Sequence, residues 1–398
     1  MGDKTAGSTV TRRATRLARW LAVVAAVGLA ACATPVPVAP VPHALLHDQL
    51  FVAPAAPVDP GQAFAMSDAM RRYLQREVAP QMKARGVQGA LAEAVHSKAR
   101  LRLEYDATYT RNAAEAFEAR TGNCLSLVLM TAAFAKELGL QVRYQTAIFE
   151  EVWSRSGTLL LRSGHVNISL GPKLQDRAST TARTFTIDFL PEDSVRGLRT
   201  REISEATIVA MYLNNRAVEA LVRDRLDDAY AWASAAVRYN PDYLGAQNTL
   251  GTIYARHGNL DEAEQVYLHV VQLDPAQTRA MSNLADLYER QGKAADAALW
   301  QTRLAKLEPE PPYYHFNHGI AAMKLKDYAT ARDMFKRETV RSRDSAESHY
   351  WLSVAYYRLG NIDLAAKHLG IALDYSTSRG DRDLYSAKLE GLRKSAQQ

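Results

Sequence analysis

Cysteine is nearly absent: 398 residues carry two, Cys32 and Cys124. Two thiols 92 positions apart cannot build a disulfide framework. An excess of one charge is also missing from most of the chain. The formal net charge is +6, and Met1–Cys32 holds +4 of it, with Lys4, Arg12, Arg13, Arg16 and Arg19 against Asp3, which leaves +2 for all that follows. Nucleic-acid binding needs Lys and Arg clustered on the folded part. No such cluster exists, and this class is set aside. The longest apolar run, residues 20–31, is too short to span a bilayer. No constellation in the sequence calls for a cofactor or a metal.

The apolar run follows a basic stretch that ends at Arg19, the layout of an export signal. It closes on Leu29-Ala30-Ala31-Cys32, which resembles the lipobox of bacterial lipoproteins. The resemblance implies cleavage after residue 31, lipid on Cys32 and a chain tethered to a membrane. With Ala33 rather than aspartate next, it implies the outer membrane, facing the periplasm. Residues 32–61 then read as the lipidated cysteine and a linker, since Pro35, Pro37, Pro40, Pro42, Pro54, Pro57 and Pro60 favour extended chain. Residues 43–52 contain no proline and are expected to dock on the body.

Residues 62–203 read as a first folded domain. Ser67 is placed as a helix N-cap, residues 87–98 and 112–119 read as helices, and residues 101–109 as strand or extended chain. Residues 124–138 are apolar on nearly all sides, as in a helix at the centre of a domain. Residues 141–151, 158–161, 165–170 and 184–190 alternate like strands. Cys124 opens the buried helix directly after Gly122-Asn123, where helix-terminal N–H groups favour a thiolate. An idle thiol in an exported protein invites oxidation, so a use for Cys124 is expected. His165 and Asn167 share one strand face, and Asp188 is an acid within an apolar strand, in need of a partner. A thiol, a base and a carboxylate that orients the base are the parts of an acyl-transfer site.

Cysteine on a buried helix, then histidine and aspartate on successive strands, resembles the transglutaminase-like superfamily, a papain-like fold. Gly122-Asn123-Cys124, Leu127, Ala132, Ala133 and Leu138-Gly139-Leu140 are similar to its cysteine helix. Many members carry a tryptophan shortly after the histidine, where this chain has Val166-Asn167. The resemblance implies that Cys124 attacks an amide or ester carbonyl, with His165 as base and Asp188 as its orienter. The Cys124 N–H is one natural oxyanion donor, and Tyr105 and Gln145 are candidates for a second.

From residue 209 the chain repeats itself every 34 residues. Ala229, Ala263, Ala297, Ala331 and Ala365 recur at that period, as do Pro241, Pro275 and Pro309. Ala217, Gly251, Ala285, Gly319 and Ser353 do the same on the preceding helices. This pattern resembles five tetratricopeptide repeats over residues 209–377, capped by a polar helix over 378–398. The fold class expected is therefore an α+β transglutaminase-like cysteine domain followed by an all-α solenoid. The resemblance implies a solenoid that binds a protein or peptide partner along its groove. Asn214, Asn248, Asp286, Phe316 and Tyr350 are the expected lining. Two readings stand side by side: a lipid-anchored thiol acyltransferase or hydrolase, and an inactive scaffold or envelope assembly factor.

Overall fold

A computed structural model describes residues 43–96, 101–148, 152–156, 159–173, 184–189 and 199–396. The expected signal segment, Cys32 and the first part of the linker lie outside these residues. The remainder of the linker is seated on the protein. His43–Leu45 and Asp48–Leu50 form single tight turns against the repeat helices, and Pro60–Phe64 forms a third turn against both the first domain and the helices over 205–239.

The first domain begins with α1 (Asp68–Tyr73), capped by Ser67, whose hydroxyl accepts from the Met70 amide. It runs on through Val78 in a wider turn and leads to α2 (Met82–His96), which is kinked at Gly86. A two-residue strand β1 (Glu104–Tyr105) pairs in parallel with β2 (Thr121–Gly122), and α3 (Ala113–Ala119) lies between them. Asn112 and Glu115 form a capping box at the start of α3.

The helix α4 (Cys124–Glu137) is the domain's axis. Every residue from Cys124 to Ala135 is buried, as a helix apolar on nearly all sides requires, with Ser126 and Thr131 the polar exceptions. It ends at Gly139, which takes a positive φ of 69°. It packs on β3 (Leu140–Ile148) and β6 (Val166–Lys173). These two belong to an antiparallel sheet in the order β7–β6–β3–β8, with β7 at Phe185–Ile187 and β8 at Arg199–Ile203. A separate antiparallel pair, β4 (Val152–Ser156) and β5 (Leu159–Ser163), connects β3 to β6. Strand β8 carries no apolar alternation, and the sequence did not mark it.

Eleven helices follow among the described residues. Five antiparallel pairs are α5 (Glu205–Val222) with α6 (Leu226–Tyr239), α7 (Leu244–His257) with α8 (Leu260–Leu273), α9 (Thr278–Arg290) with α10 (Ala294–Leu307), α11 (Tyr314–Lys324) with α12 (Tyr328–Arg341), and α13 (Ala346–Arg358) with α14 (Ile362–Asp374). The last, α15 (Arg379–Ala396), closes the stack by burying Tyr385 and Leu389 against Leu369 and Ala372. The small residue in the first helix of a pair is set by its neighbour in the second. A Cβ on Gly251 would lie 2.6 Å from the Tyr267 ring, and one on Gly319 would lie 2.5 Å from the Phe335 ring. In the first pair the same positions hold Ala217 and Ala233, both fully buried.

Candidate functional site

Asn123 is the N-cap of α4, and its carboxamide oxygen accepts from the Ser126 amide (2.9 Å) and hydroxyl (2.8 Å). Its amide group donates to the Thr110 hydroxyl at 2.8 Å. Gly122 has to be glycine because a Cβ there would lie 2.7 Å from the Ser126 Cβ. Together these contacts hold the start of α4, and with it the Cys124 thiol, 8% exposed, in one position.

Strand register brings the other two residues together. Ile168 pairs with Ile187, so one step further along the antiparallel ladder Asn167 faces Asp188. His165, just before β6, lies two positions from Asn167 and on the same side. Asp188, just after β7, accepts with Oδ2 from Asn167 at 3.2 Å and meets His165 Nε2 at 2.7 Å. His165 is 4% exposed. Its Nδ1 is buried without a hydrogen bond of regular geometry among the described residues, while Cys124 lies close enough to act on the ring's proton affinity. The Cys124 Sγ is 3.9 Å from the Gly164 carbonyl. Burial disfavours the charged ring, but Asp188 and Cys124 outweigh it and raise the His165 pKa to about 9.

Cys124, His165 and Asp188 are thus assembled, and Asn167 joins them as a further contact to the carboxylate. Tyr105 also adjoins Cys124, with its phenol pushed well up, first by burial and then by the thiol. Gln145 sits opposite Asn167 in the sheet.

The proposed groove residues are less uniform. Phe316 is a correction: it is 2% exposed and packs edge-on against Phe335 in the core. It lies three positions before Gly319, on the face where the two helices of that pair cross. Asn214 is also buried, and its carboxamide oxygen has no partner among the described residues. Asn248 is half-buried and accepts from Asn283 of the next repeat at 3.1 Å. Tyr350 is half-buried and stacks on Tyr385 at 5.1 Å. Asp286 is exposed, with its carboxyl raised by partial desolvation and then by Glu289.

The loop after β1 fastens this domain to the repeats. The Thr110 amide donates to Glu219 of α5 at 2.6 Å, and the Thr110 hydroxyl accepts from Asn215 as well as from Asn123. Arg216 lies over the Tyr109 ring at 4.6 Å. The Ala107 amide donates to the Thr377 carbonyl, just beyond the fifth pair, at 3.2 Å. Glu205 of α5 also accepts from the Tyr144 hydroxyl of β3 at 2.9 Å.

Known proteins resemble the helical part. Protein O-mannosyl-transferase Tmtc3 of Drosophila melanogaster is 30% identical over 100 residues, which is 25% of this chain and 11% of that protein. A probable assembly chaperone of rpl4 from Emericella nidulans is 27% identical over 120 residues, 28% of this chain and 29% of that protein. The chain therefore spans less than a third of the length of these curated relatives. Among solved structures, a thermophilic TPR protein of Thermus thermophilus is 19% identical, with a TM-score of 0.29, over 45% of this chain and 98% of that one. The tetratricopeptide repeat family matches at residues 214–278, 249–312 and 316–374. With the helix pairs that the structure shows over the same residues, this part of the chain is a tetratricopeptide-repeat array.

Proposed function

We propose that this chain is a scaffold whose repeat array holds a protein or peptide partner. The observation that carries this reading is the array itself, with five helix pairs at one 34-residue period matched by the tetratricopeptide-repeat family. Stacked repeats present a continuous surface of side chains and have no chemistry of their own. Leu29-Ala30-Ala31-Cys32 supports a lipid anchor, and with it a place in the cell envelope, at the outer membrane and facing the periplasm. A photo-crosslinker placed at Asn248 or Asp286, compared with one at the exposed Leu299, tests the scaffold in envelope extract. The reading expects one discrete adduct at 248 and 286 and none at 299. Equal labelling at all three positions would sink it.

A second reading is favoured by a specific observation, the 2.7 Å contact between His165 and Asp188 beside Cys124. Here the first domain is a transglutaminase-like thiol acyltransferase or amide hydrolase. The Cys124 sulfur attacks an acyl carbonyl with its proton already held on the His165 ring. The thioester forms as the C–N bond breaks, and the leaving amine takes the proton back from His165. Water or a second amine then attacks the thioester and frees the thiol. The backbone N–H of Cys124 would stabilise the oxyanion, and Asp188 and Asn167 would orient the ring. Iodoacetamide kinetics test this directly. Cys124 should alkylate at least tenfold faster in the wild type than in His165→Ala, and equal rates would leave the scaffold reading alone.

A further inference from the structure

Residues 43–52 lie across α6 and α7 in the manner of a bound peptide. Asp48 accepts from Arg238 with both carboxylate oxygens, at 2.7 and 2.6 Å, and from the Tyr230 hydroxyl at 2.8 Å. Three residues later the Phe51 ring is stacked on Tyr230, with ring centroids 4.0 Å apart and planes 5° apart, and it is flanked by His257 at 4.4 Å. Tyr254, fully buried, uses its hydroxyl on the segment's main chain, donating to the Leu45 carbonyl at 2.9 Å and accepting from the His47 amide at 3.0 Å. The Val52 amide donates to Asp227 at 2.9 Å. Main-chain bonds supply affinity, and a carboxylate whose two oxygens share the Arg238 Nη2, together with an aromatic stack, supplies selectivity, as in peptide recognition generally.

Two features separate this arrangement from ordinary core packing. The Asp48 side chain is 65% exposed, so the charged pair is open to exchange. Residues 52–57 behind the segment are all exposed and include Pro54 and Pro57, so the segment can leave without unmaking a helix. A short tether of this kind sets an effective concentration on the order of millimolar, enough to fill a site of modest affinity.

We propose that the cradle of Tyr230, Arg238, Tyr254 and His257 is a recognition site for a short peptide with a carboxylate three residues before an aromatic ring, occupied in cis by residues 43–52. The proposal rests on the reading of the repeats as a peptide-binding array, and it names the partner chemistry for a site apart from Asn248 and Asp286.

The test uses the full chain. Asp48→Ala/Phe51→Ala takes the segment's carboxylate and ring out of the cradle and leaves its main-chain bonds and Leu45 in place, and a fluorescent peptide with the sequence of residues 43–52 is titrated by anisotropy. The expected result is saturable one-to-one binding to the double variant and at least tenfold weaker binding to the wild type, where the cis segment competes. Adding Arg238→Glu, at an exposed position, or the near-isosteric Tyr254→Phe should each weaken binding at least tenfold with the thermal melt unchanged. The same peptide with Asp48→Asn or Phe51→Ala should fail. No binding to the folded double variant, or binding indifferent to Arg238→Glu, would overturn the site. A wild-type dimer that the double variant abolishes would overturn occupancy in cis. Loss of cross-linking at 248 and 286 with peptide binding intact would count against the groove reading alone, and the reverse against the cradle alone.

Discussion

At His165, burial and its partners act in opposite directions. Burial disfavours the imidazolium, while the Asp188 carboxylate and the Cys124 thiol favour it strongly enough to raise the pKa to about 9. The unfolded value is about 6.5. The stabilisation is therefore complete below about pH 6.5 and is lost as pH rises through about 9. Asp188→Asn should cost roughly 2–3 kcal/mol more at pH 6 than at pH 9.5, read from urea unfolding at both pH values. A cost that does not change with pH would mean that the pair does not hold a proton. These three residues could be picked out beforehand because their types and alternation are local properties of the chain. Thr110 could not, because what gives it a role is a set of contacts across the fold. Asn123 caps a helix, as its type allows, but its second bond reaches a loop 13 residues away. Phe316 lies in the core and not in the groove for a different reason. An aromatic residue suits a groove and a helix crossing equally well, and only the packing of Phe335 decides between them.

Among the elements, the close crossing within each helix pair offers a direct test. Gly251→Ala should destabilise by about 1–3 kcal/mol, since the added Cβ would press on the ring of Tyr267, itself buried. Gly251→Ala with Tyr267→Ala copies the Ala217 and Ala233 pairing of the first repeat. It should cost at least 1 kcal/mol less than the sum of the two single changes, measured as a double-mutant cycle in urea. The last pair, α13 and α14, holds a different constraint. His349 and His368 face each other with Nδ1 atoms 3.1 Å apart. Burial first, and then His349 and nearby lysines, lower the His368 pKa to about 4, and burial also lowers that of His349. Both rings are neutral in the folded state at pH values where the unfolded chain binds protons. Stability is therefore flat above about pH 6.5 and falls as pH drops from there toward 4. The loss between pH 7.5 and pH 5 should be about 1–2 kcal/mol, and His368→Gln should remove much of it, as read from urea midpoints. The 34-residue period was visible in the sequence because it repeats five times. This histidine pair was not, because it joins single positions on two helices.

Across the whole molecule, a half-buried carboxylate is one of several groups that tie the domains together. Glu219 accepts from the Thr110 amide, and burial raises its carboxyl pKa against the pull of that bond and of Arg216. Glu219→Ala leaves a buried amide unpaired and should cost about 1–3 kcal/mol. Because the Thr110 hydroxyl also accepts from Asn123, the same variant should speed hydrogen exchange at residues 126 and 127 in the first domain. Glu219→Gln keeps an acceptor and should show less of both effects. Exchange that rises only in α5 would mean that the link carries no load. The passage from strand to repeated helices near residue 204 coincides with a change of period in the sequence, while the bonds that cross it have no sequence signal, since those to α5 join residues 61 to 109 positions apart.

The bond from Ala107 to Thr377 has a mechanical consequence. A repeat array is a spring whose pitch varies by small rotations between neighbouring coils. In this chain the first coil is held through Thr110 and the far end through Ala107, so one short loop clamps both ends. Any stretching or winding of the spring must then either break a bond in that loop or pull on it, and the loop begins one residue after Tyr105, beside the thiol.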